Sequence, residues 1–263
     1  MPQSKLNIRE RGKAKGEGTP LVLVHGFPFD GSMWEKQLDG LGDELWVVAP
    51  DMPGMGESDP LALDREANMD DYADAIADWA KSEGIENLVL AGHSMGGYIA
   101  FAFARKYPEM LEKLILIATR PGADADAARE GRYKTAGGVE EKGAVVAADA
   151  MFPKLFAPST YEKDKETTEN IRSLMLRQRK RGVIDSLHAM AGRPDSSPDM
   201  PRIKAPTLII SGLQDAIIPG SEAEGMHNSI TGSRHIAIEN AGHLPMLEDA
   251  RAFNKALREF LEA

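Results

Sequence analysis

The stretch that decides the fold is Gly92-His93-Ser94-Met95-Gly96, which stands between two regular patterns. The apolar run at residues 87–91 is typical of a buried strand, and residues 97–105 are typical of a helix. A serine on a sharp turn from a strand into a helix is presented at the carboxyl end of a sheet. We therefore predict that Ser94 is a nucleophile, held by this turn in a strained backbone conformation.

Gly92 and Gly96 indicate how closely the predicted strand and helix approach each other. We expect a Cβ atom at either position to clash, so glycine is needed on both sides of the serine. A Gly-x-Ser-x-Gly pattern alone is weak evidence, because glycine and serine are common in loops. The flanking strand and helix patterns make it specific.

A serine hydroxyl needs a base and an acid before it is an effective nucleophile, and both follow later in the chain. Asp215 comes just after the apolar strand pattern at 207–212, which predicts that it lies at the same sheet edge as Ser94. His243 lies in a loop after the strand pattern at 234–238. The chain order Ser, Asp, His is one known order of this triad. We assign Ser94 as nucleophile, His243 as general base and acid, and Asp215 as the residue that orients the imidazole.

Other titratable residues are weaker candidates for this chemistry. Asp124 and Asp126 follow an earlier strand pattern and are kept as an alternative acid, since only geometry separates them from the first choice. His25 and His93 lie near the predicted site, but each has a structural role available, and we expect His93 to pack beneath the serine. The remaining histidines fall within helix or strand patterns and are expected to be ordinary: His188, His227 and His235.

Composition limits the class of protein. The 263 residues suit one large domain with an insertion, or at most two small domains. Cysteine is absent, which excludes disulfides, thiol chemistry and cysteine metal sites, and we expect neither a cofactor nor a metal.

No apolar run approaches about 18 residues, and the first residues lack a signal-peptide core, so we expect a cytoplasmic protein outside the membrane. The net charge of −10 argues against nucleic acids and anionic membranes as partners, but not against a small-molecule ester; monomer and homodimer both stay open.

Alternating strand and helix patterns predict an α/β fold, with a mostly parallel twisted sheet and helices on both faces. The predicted parts include an edge strand at 6–11, a helix at 32–41 with Ser32 as N-cap, a strand at 45–49 and a helix at 70–82. Residues 51–58 form a glycine-rich loop that lacks the lysine pattern of a phosphate-binding loop. We expect this loop to border the pocket.

Residues 120–206 interrupt the alternation. They lack strand patterns and contain helical segments near 137–151, 165–181 and 183–191, separated by prolines. We interpret this all-helical insertion as a cap over a core made of residues 1–119 and 207–263. Six apolar residues are candidates to cover the pocket: Met151, Phe152, Leu155, Phe156, Leu187 and Met190. Most of them are expected to pack within the cap, and Met151 and Phe152 are retained as substrate contacts.

Five segments together give the chain a resemblance over nearly its full length. They are residues 25–28 (His-Gly-Phe-Pro), residues 50–58, residues 92–98, residues 212–215 and residues 241–245 (Ala-Gly-His-Leu-Pro). The chain resembles the capped α/β-hydrolases. Within them, residues 94–98, 101–107 and 193–196 look most like bacterial carboxylesterases and are also similar to 3-oxoadipate enol-lactonases. The resemblance implies an α/β-hydrolase fold and hydrolysis of short-chain carboxylic esters by a serine triad, through an acyl-enzyme. His93 departs from close relatives, which often have leucine at this position.

In this family the loop after the strand at 21–24 contributes to an oxyanion hole. The resemblance implies that the backbone N–H groups of Phe27 and Met95 are its two donors. Gly26 and His25 belong to the same loop and are taken as substrate-binding positions. Arg120, just past a strand end, is a candidate to bind a substrate carboxylate, but a structural ion pair with a cap residue is the role we favour.

Serine at position 94 excludes relatives with an aspartate nucleophile, such as haloalkane dehalogenases and epoxide hydrolases. It does not separate an esterase from a C–C bond hydrolase, an enol-lactonase or a perhydrolase on the same triad, since fold does not determine function. A binding protein of this fold is the non-enzymatic alternative. Its sequence would show a broken triad or oxyanion loop, and neither is broken here.

Overall fold

Seven strands form one sheet in the computed structural model, which describes residues 4–12 and 18–263. The strands, in chain order, are β1 (Ile8–Arg11), β2 (Leu21–Val24), β3 (Val47–Pro50), β4 (Leu88–His93), β5 (Leu111–Ile117), β6 (Thr207–Gly212) and β7 (Arg234–Ile238). Their order across the sheet is β1-β3-β2-β4-β5-β6-β7. β1 pairs antiparallel with β3 at one edge, and the other pairs are parallel. The prediction of a mostly parallel sheet with a first edge strand is confirmed.

The central strands are covered on both faces. All residues of β2, β3 and β4 are buried, and β4 lies in the middle of the sheet. Val22 and Leu90 belong to one apolar cluster, whereas Leu23 and Ala91 belong to the other. Continuous apolar runs are expected where helices cover a parallel sheet on both sides, because both faces of each strand must be apolar.

Eleven α-helices are present in the described part of the chain, together with short 3₁₀ turns. The helices, in chain order, are α1 (Glu35–Leu41), α2 (Met69–Ser82), α3 (Met95–Lys106), α4 (Asp126–Lys142), α5 (Val145–Met151), α6 (Pro158–Lys163), α7 (Lys165–Leu176), α8 (Lys180–Ala191), α9 (Gly220–Ser229), α10 (Pro245–Glu248) and α11 (Ala250–Leu261). Helices α2 and α3 contribute Ile76 and Phe103 to one apolar cluster, and α1 and α11 contribute Leu38 and Phe253 to the other. No described helix has the length and apolar character needed to cross a membrane.

The insertion, defined as residues 120–206, is helical. It contains α4 to α8 and no strand, and all of its residues are described. Its first helix begins at Asp126, whereas the sequence pattern predicted a start near residue 137. Helix α4 buries only Ala136 and Val139, so most of its length carries no apolar periodicity that a sequence pattern can reveal.

The first helix also begins differently from the prediction. Residues 31–34 form a 3₁₀ turn, and α1 starts at Glu35. The N-cap of the turn is Asp30 and not Ser32, because the Asp30 carboxylate accepts a hydrogen bond from the Ser32 backbone N–H at 2.9 Å. The N-cap is therefore Asp30, two residues before Ser32, which was the N-cap predicted from the sequence.

Candidate active site

Ser94 lies on the turn between β4 and α3, with backbone angles φ 51° and ψ −110°. Its N–H donates to the Ile117 carbonyl on β5 at 2.9 Å, and its carbonyl accepts from the Thr119 hydroxyl at 2.8 Å. A non-glycine residue at positive φ costs of order 1–3 kcal/mol, so surrounding contacts must hold it. The predicted strained turn is present, and hydrogen bonds from the β5 side hold it.

Glycines on both sides of the serine allow the close approach that the motif predicted. A Cβ on Gly92 would overlap the carbonyl oxygen of Gly96, and a Cβ on Gly96 would overlap that of Val24 on β2. A Cβ on Gly97 would overlap the side chain of Thr119. Strands β2 and β4 and the start of α3 therefore pack against each other with no side chain between them.

Three side chains from separate strand ends form one hydrogen-bonded chain. His243 Nε2 is 3.0 Å from Ser94 Oγ, and His243 Nδ1 is 2.8 Å from Asp215 Oδ2. Ser94 follows β4, Asp215 follows β6 and His243 follows β7, so all three lie at the carboxyl edge of the sheet. The imidazole is fully buried, and the serine is 9% exposed. An activated nucleophile needs this hydrogen bond to a base, and the base needs an orienting group.

Asp215 determines which nitrogen of the imidazole carries the proton. Its other oxygen, Oδ1, accepts hydrogen bonds from the backbone N–H groups of Ile217 at 2.7 Å and Ile218 at 2.9 Å. An ionised carboxylate only accepts hydrogen bonds, so Nδ1 of His243 is the donor and Nε2 presents a lone pair to the serine hydroxyl. This is the tautomer that a general base requires.

His93 directly precedes the serine and contacts the loop of His243, while its packing beneath the serine stays a prediction. Its Nε2–H donates to the His243 backbone carbonyl at 2.8 Å, and the two ring centroids are 4.9 Å apart. The ring is fully buried and meets the Trp34 indole edge-on. Burial keeps the pKa of His93 well below its usual value, so the ring stays neutral and serves as a hydrogen-bond donor to the main chain.

Two backbone N–H groups beside the serine are available to bind an oxyanion. Among the described residues, neither the N–H of Phe27 nor that of Met95 donates to a protein acceptor. Met95 is the first residue of α3, where an N–H has no partner within the helix. Phe27 follows β2, which pairs with β4, so both groups belong to the same edge of the sheet. The oxyanion hole stays a prediction, which these unused donors support.

The predicted substrate-binding positions Gly26 and His25 lie inside the loop that follows β2. His25 is fully buried, its Nδ1 donates to the Gly26 carbonyl at 2.8 Å, and its Nε2 accepts from the Met52 N–H at 2.8 Å. Burial lowers the pKa of the His25 imidazole, which agrees with a neutral ring. A Cβ on Gly26 would press on the His93 ring. Because both nitrogens of His25 bind the main chain, we assign this residue to loop structure and not to substrate contact.

Arg120 lies beyond β5 in a cluster around the buried Asp124 carboxylate. Asp124 accepts hydrogen bonds from Arg120 at 3.0 Å and from Arg132, and the Arg193 guanidinium is 2.8 Å from it. Burial alone would raise the pKa of Asp124, but hydrogen bonds from Arg132 and Arg193 outweigh it and hold the pKa at about 2. The ion pair between Arg120 and a residue of the insertion is therefore present. The buried Nε of Arg120 has no hydrogen-bond partner among the described residues.

The two alternative acids lie away from the imidazole. Asp124 is bound by arginines, and Asp126 is exposed at the start of α4, where it pairs with Arg129. Of the acidic side chains in the described part of the chain, Asp215 is the one that contacts His243. The geometry favours Asp215 as the orienting acid.

Met151 and Phe152 mark the end of α5 and the start of a 3₁₀ turn, and both are half-buried. Met151 packs against both apolar clusters, so it bridges the two. The Phe152 ring stands edge-on to Tyr161 with centroids 5.7 Å apart, and the Arg172 guanidinium lies 5.3 Å above it. Phe152 is thus packed within the insertion. A contact of either residue with substrate stays a prediction.

Two residues that hold the site were not identified from the sequence. The Thr119 hydroxyl donates to the Ser94 carbonyl, and the Glu248 carboxylate accepts hydrogen bonds from the loop that carries His243. A threonine after a strand and a glutamate in a short helix are common, so neither carries a sequence signal. Their roles are visible only in their tertiary contacts.

Fold and site together define a hydrolase class, in which a serine, a histidine and an aspartate meet at the carboxyl edge of a mostly parallel sheet. The family model for the alpha/beta hydrolase fold matches residues 19–250, which is most of the chain. The protein belongs to the α/β-hydrolase family, and the family resemblance in its sequence is confirmed.

Three similar proteins illustrate the range of this family. A thermophilic esterase from Thermogutta terrifontis, determined with malate bound, has a TM-score of 0.94 and 40% identity, covering 98% of this chain and 93% of that chain. The enol-lactonase from Burkholderia xenovorans LB400 has a TM-score of 0.90 and 25% identity, covering 99% and 97%. The dihydrolipoyllysine-residue acetyltransferase component of the acetoin cleaving system of Pseudomonas putida is 32% identical over 256 residues, which are 93% of this chain but only 64% of that relative. These three proteins are named for different activities, so membership of the family does not by itself define the substrate.

Proposed function

We propose that this protein is a serine carboxylesterase that hydrolyses short-chain carboxylic esters through an acyl-enzyme. The observation that carries the proposal is the hydrogen-bonded chain from Asp215 through His243 to Ser94, with distances of 2.8 and 3.0 Å, at a strained turn. The 40% identity to an esterase over nearly the whole chain supports the same reaction class.

Acylation uses the chain's own groups at each step. Ser94 Oγ attacks the ester carbonyl carbon while its proton passes to His243 Nε2, and the carbonyl oxygen becomes an oxyanion. The N–H groups of Phe27 and Met95 stabilise that oxyanion, and losing one such donor typically costs about 2.7–4 kcal/mol. The C–O bond to the alcohol then breaks, and the imidazolium returns the proton to the leaving oxygen. Asp215 stabilises the imidazolium while it exists.

Deacylation repeats these steps with water. His243 Nε2 takes a proton from water, and the hydroxyl attacks the acyl carbon of the Ser94 ester. The second oxyanion accepts hydrogen bonds from the same two backbone N–H groups. The bond to Ser94 Oγ breaks, the imidazolium returns the proton to the serine, and the carboxylic acid is released.

The insertion serves as the cap in this proposal, and residues 1–119 and 207–263 form the core. The N-terminal turn of α8 packs directly on the glycine-rich loop, because a Cβ on Gly182 would overlap the Gly54 carbonyl. The Gln178 side chain also accepts a hydrogen bond from the Gly56 N–H at 2.9 Å. Such contacts hold the insertion against the sheet edge. Ser94 is only 9% exposed, so little space is open beside its hydroxyl, and this favours substrates with a small acyl group.

A second candidate is hydrolysis of an ester or lactone that carries a carboxylate, and Arg120 favours it. Its Nε is buried without a partner among the described residues. Three guanidinium groups surround the single carboxylate of Asp124, so this carboxylate does not occupy all of their N–H donors. A substrate carboxylate would satisfy the unused donor. If so, Arg120→Leu lowers kcat/KM for an acyl group ending in a carboxylate more than for the matched methyl ester. Arg129→Leu, at an exposed position, is the control and leaves the ratio unchanged.

The test of the main proposal is hydrolysis of p-nitrophenyl acetate, butyrate, octanoate and palmitate. We expect turnover of acetate and butyrate, little turnover of palmitate, and loss of activity in Ser94→Ala. A fluorophosphonate probe should label wild type and not Ser94→Ala. The exposed Ser82 provides the control, since Ser82→Ala should keep both turnover and labelling.

Two results would overturn the proposal. A folded wild-type protein that hydrolyses none of the esters would exclude a carboxylesterase and favour another reaction on the same residues. Ester hydrolysis that persists in Ser94→Ala would show that Ser94 is not the nucleophile.

A further inference from the structure

The loop that carries His243 is attached to one carboxylate. Glu248 Oε1 accepts hydrogen bonds from the backbone N–H of Gly242 at 2.8 Å and from that of Leu244 at 3.3 Å. These residues stand directly before and after His243. One oxygen atom therefore binds the backbone N–H groups of the two residues that flank His243.

The second oxygen of Glu248 binds the insertion. Oε2 accepts from the Ala157 N–H at 2.7 Å and from the Thr160 hydroxyl at 2.8 Å, at the start of α6. The two segments also meet directly, since the His243 N–H donates to the Leu155 carbonyl at 2.8 Å. Glu248 thus joins the histidine loop to residues 155–160 of the insertion.

The chemistry of this contact requires a carboxylate. All four groups around Glu248 are neutral donors, and no described cation lies within ion-pair distance of it. An ionised carboxylate can accept all four hydrogen bonds, because each oxygen has two lone pairs. Glutamine at the same position has one oxygen, so its NH₂ group must face two donors. It can satisfy the histidine loop or the insertion, but not both.

We infer that Glu248 is a positioning residue, whose carboxylate fixes the His243 loop to the base of the insertion and keeps the imidazole between Ser94 and Asp215. The inference rests on the proposed function, because it concerns the same triad. The His243 backbone has two further attachments, one to the Leu155 carbonyl and one to the His93 ring. Both are single hydrogen bonds to His243 itself, whereas Glu248 holds the residues on either side of it.

The geometric tolerance of catalysis gives the expected size of the effect. The imidazole must keep its two hydrogen bonds, of 2.8 and 3.0 Å, at the same time. A displacement of about 1 Å costs roughly 10²-fold in rate. Freeing one side of the loop should displace the ring by part of that distance, so we expect a fall in kcat of about 10- to 100-fold, by the same scale.

The experiment compares wild type with Glu248→Gln on p-nitrophenyl butyrate, with the active serines counted by the p-nitrophenol burst. We expect kcat for each titrated serine to fall about 10- to 100-fold, KM to stay within about threefold and the rate of fluorophosphonate labelling to fall with kcat. A purely structural role would lower the melting temperature or the number of titrated sites, and would leave kcat for each site unchanged.

A matched pair of threonines tests the same link with a smaller change. Thr160→Val removes one hydrogen bond to Glu248, while Thr168→Val removes a hydroxyl bonded to the Lys165 carbonyl within α7. Both threonines are buried in the insertion. We expect kcat for each site to fall about three- to tenfold in Thr160→Val, the scale of one hydrogen bond, and to be unchanged in Thr168→Val. This pair decides the question even if Glu248→Gln does not fold.

The inference and the proposed function fail in different ways. Normal kcat for each site in Glu248→Gln, or equal values in the two threonine variants, would overturn the positioning role while the esterase assignment stands. Absence of serine-dependent turnover in wild type would instead overturn the proposed function.

Discussion

Replacing Asp215 by asparagine tests the site with a nearly isosteric change. The backbone N–H groups of Ile217 and Ile218 donate to Oδ1, so the amide oxygen must take that place. The amide NH₂ then faces His243 Nδ1, which must become an acceptor. The proton moves to Nε2 and points at Ser94 Oγ, where it leaves no lone pair to accept the hydroxyl proton.

The expected loss follows from this change of tautomer. The same substitution in a protease triad lowers kcat about 10⁴-fold. At about 1.36 kcal/mol for each factor of ten, that is about 5.4 kcal/mol of transition-state stabilisation. Stability should change little, because the asparagine side chain has nearly the same volume and its amide oxygen keeps both backbone hydrogen bonds.

The assay measures kcat on p-nitrophenyl butyrate, together with urea unfolding to confirm that the variant is folded. Asp126→Asn is the matched control, since Asp126 is exposed and was the alternative acid; it should keep full activity. A loss of less than about tenfold in Asp215→Asn, or an equal loss in Asp126→Asn, would refute the reasoning from tautomers.

Three further predictions concern stability. His93→Leu leaves the buried carbonyl of His243 without its donor, so unfolding free energy should fall by about 1–3 kcal/mol and kcat should fall with it; unchanged urea unfolding would contradict this. Gly96→Ala places a Cβ against the Val24 carbonyl and should cost at least about 1–3 kcal/mol, measured by urea unfolding against an exposed Gly131→Ala control; equal stability of the two variants would contradict the close packing. The folded pKa of Asp124 is about 2, below the ordinary value of about 3.8, so its contribution is complete above about pH 4 and is lost as pH falls through 2. In Asp124→Asn, the free energy of unfolding should therefore fall less between about pH 4 and 2 than it does in wild type, measured by unfolding curves at about pH 4, 3 and 2. The same pH dependence in both proteins would contradict this contribution of Asp124.

Local patterns predicted those features that depend on residues close together in the chain. The turn at Ser94 follows from a strand pattern, two glycines and a helix pattern within about 20 residues. Asp215 and His243 were predicted because each follows a strand, and parallel strands end at one edge of a sheet. The structure brings Ser94, Asp215 and His243 into hydrogen-bond contact, as this reasoning expects.

Sequence patterns failed where a neighbouring polar group competed for a role, where a helix is little buried, and where polar contacts link distant segments. Ser32 looked like an N-cap, but Asp30 takes that position. The long helix from Asp126 was recognised only in part, because little of it is buried. The buried nitrogens of His25 bind main-chain groups, one of them 27 residues away at Met52, which no spacing rule reveals.

The sequence by itself determined the class of fold, and it predicted the nucleophile and the order of its partners, because strand periodicity and turn glycines act over short distances. The tertiary structure alone decided which acid reaches the imidazole, which nitrogen carries the proton and which residues hold the histidine loop. Those outcomes depend on hydrogen bonds such as the one between Glu248 and Ala157, which are 91 residues apart. A hydrogen bond forms only within about 0.5 Å of its preferred length, and the packing of the whole sheet and insertion determines whether two distant groups come that close.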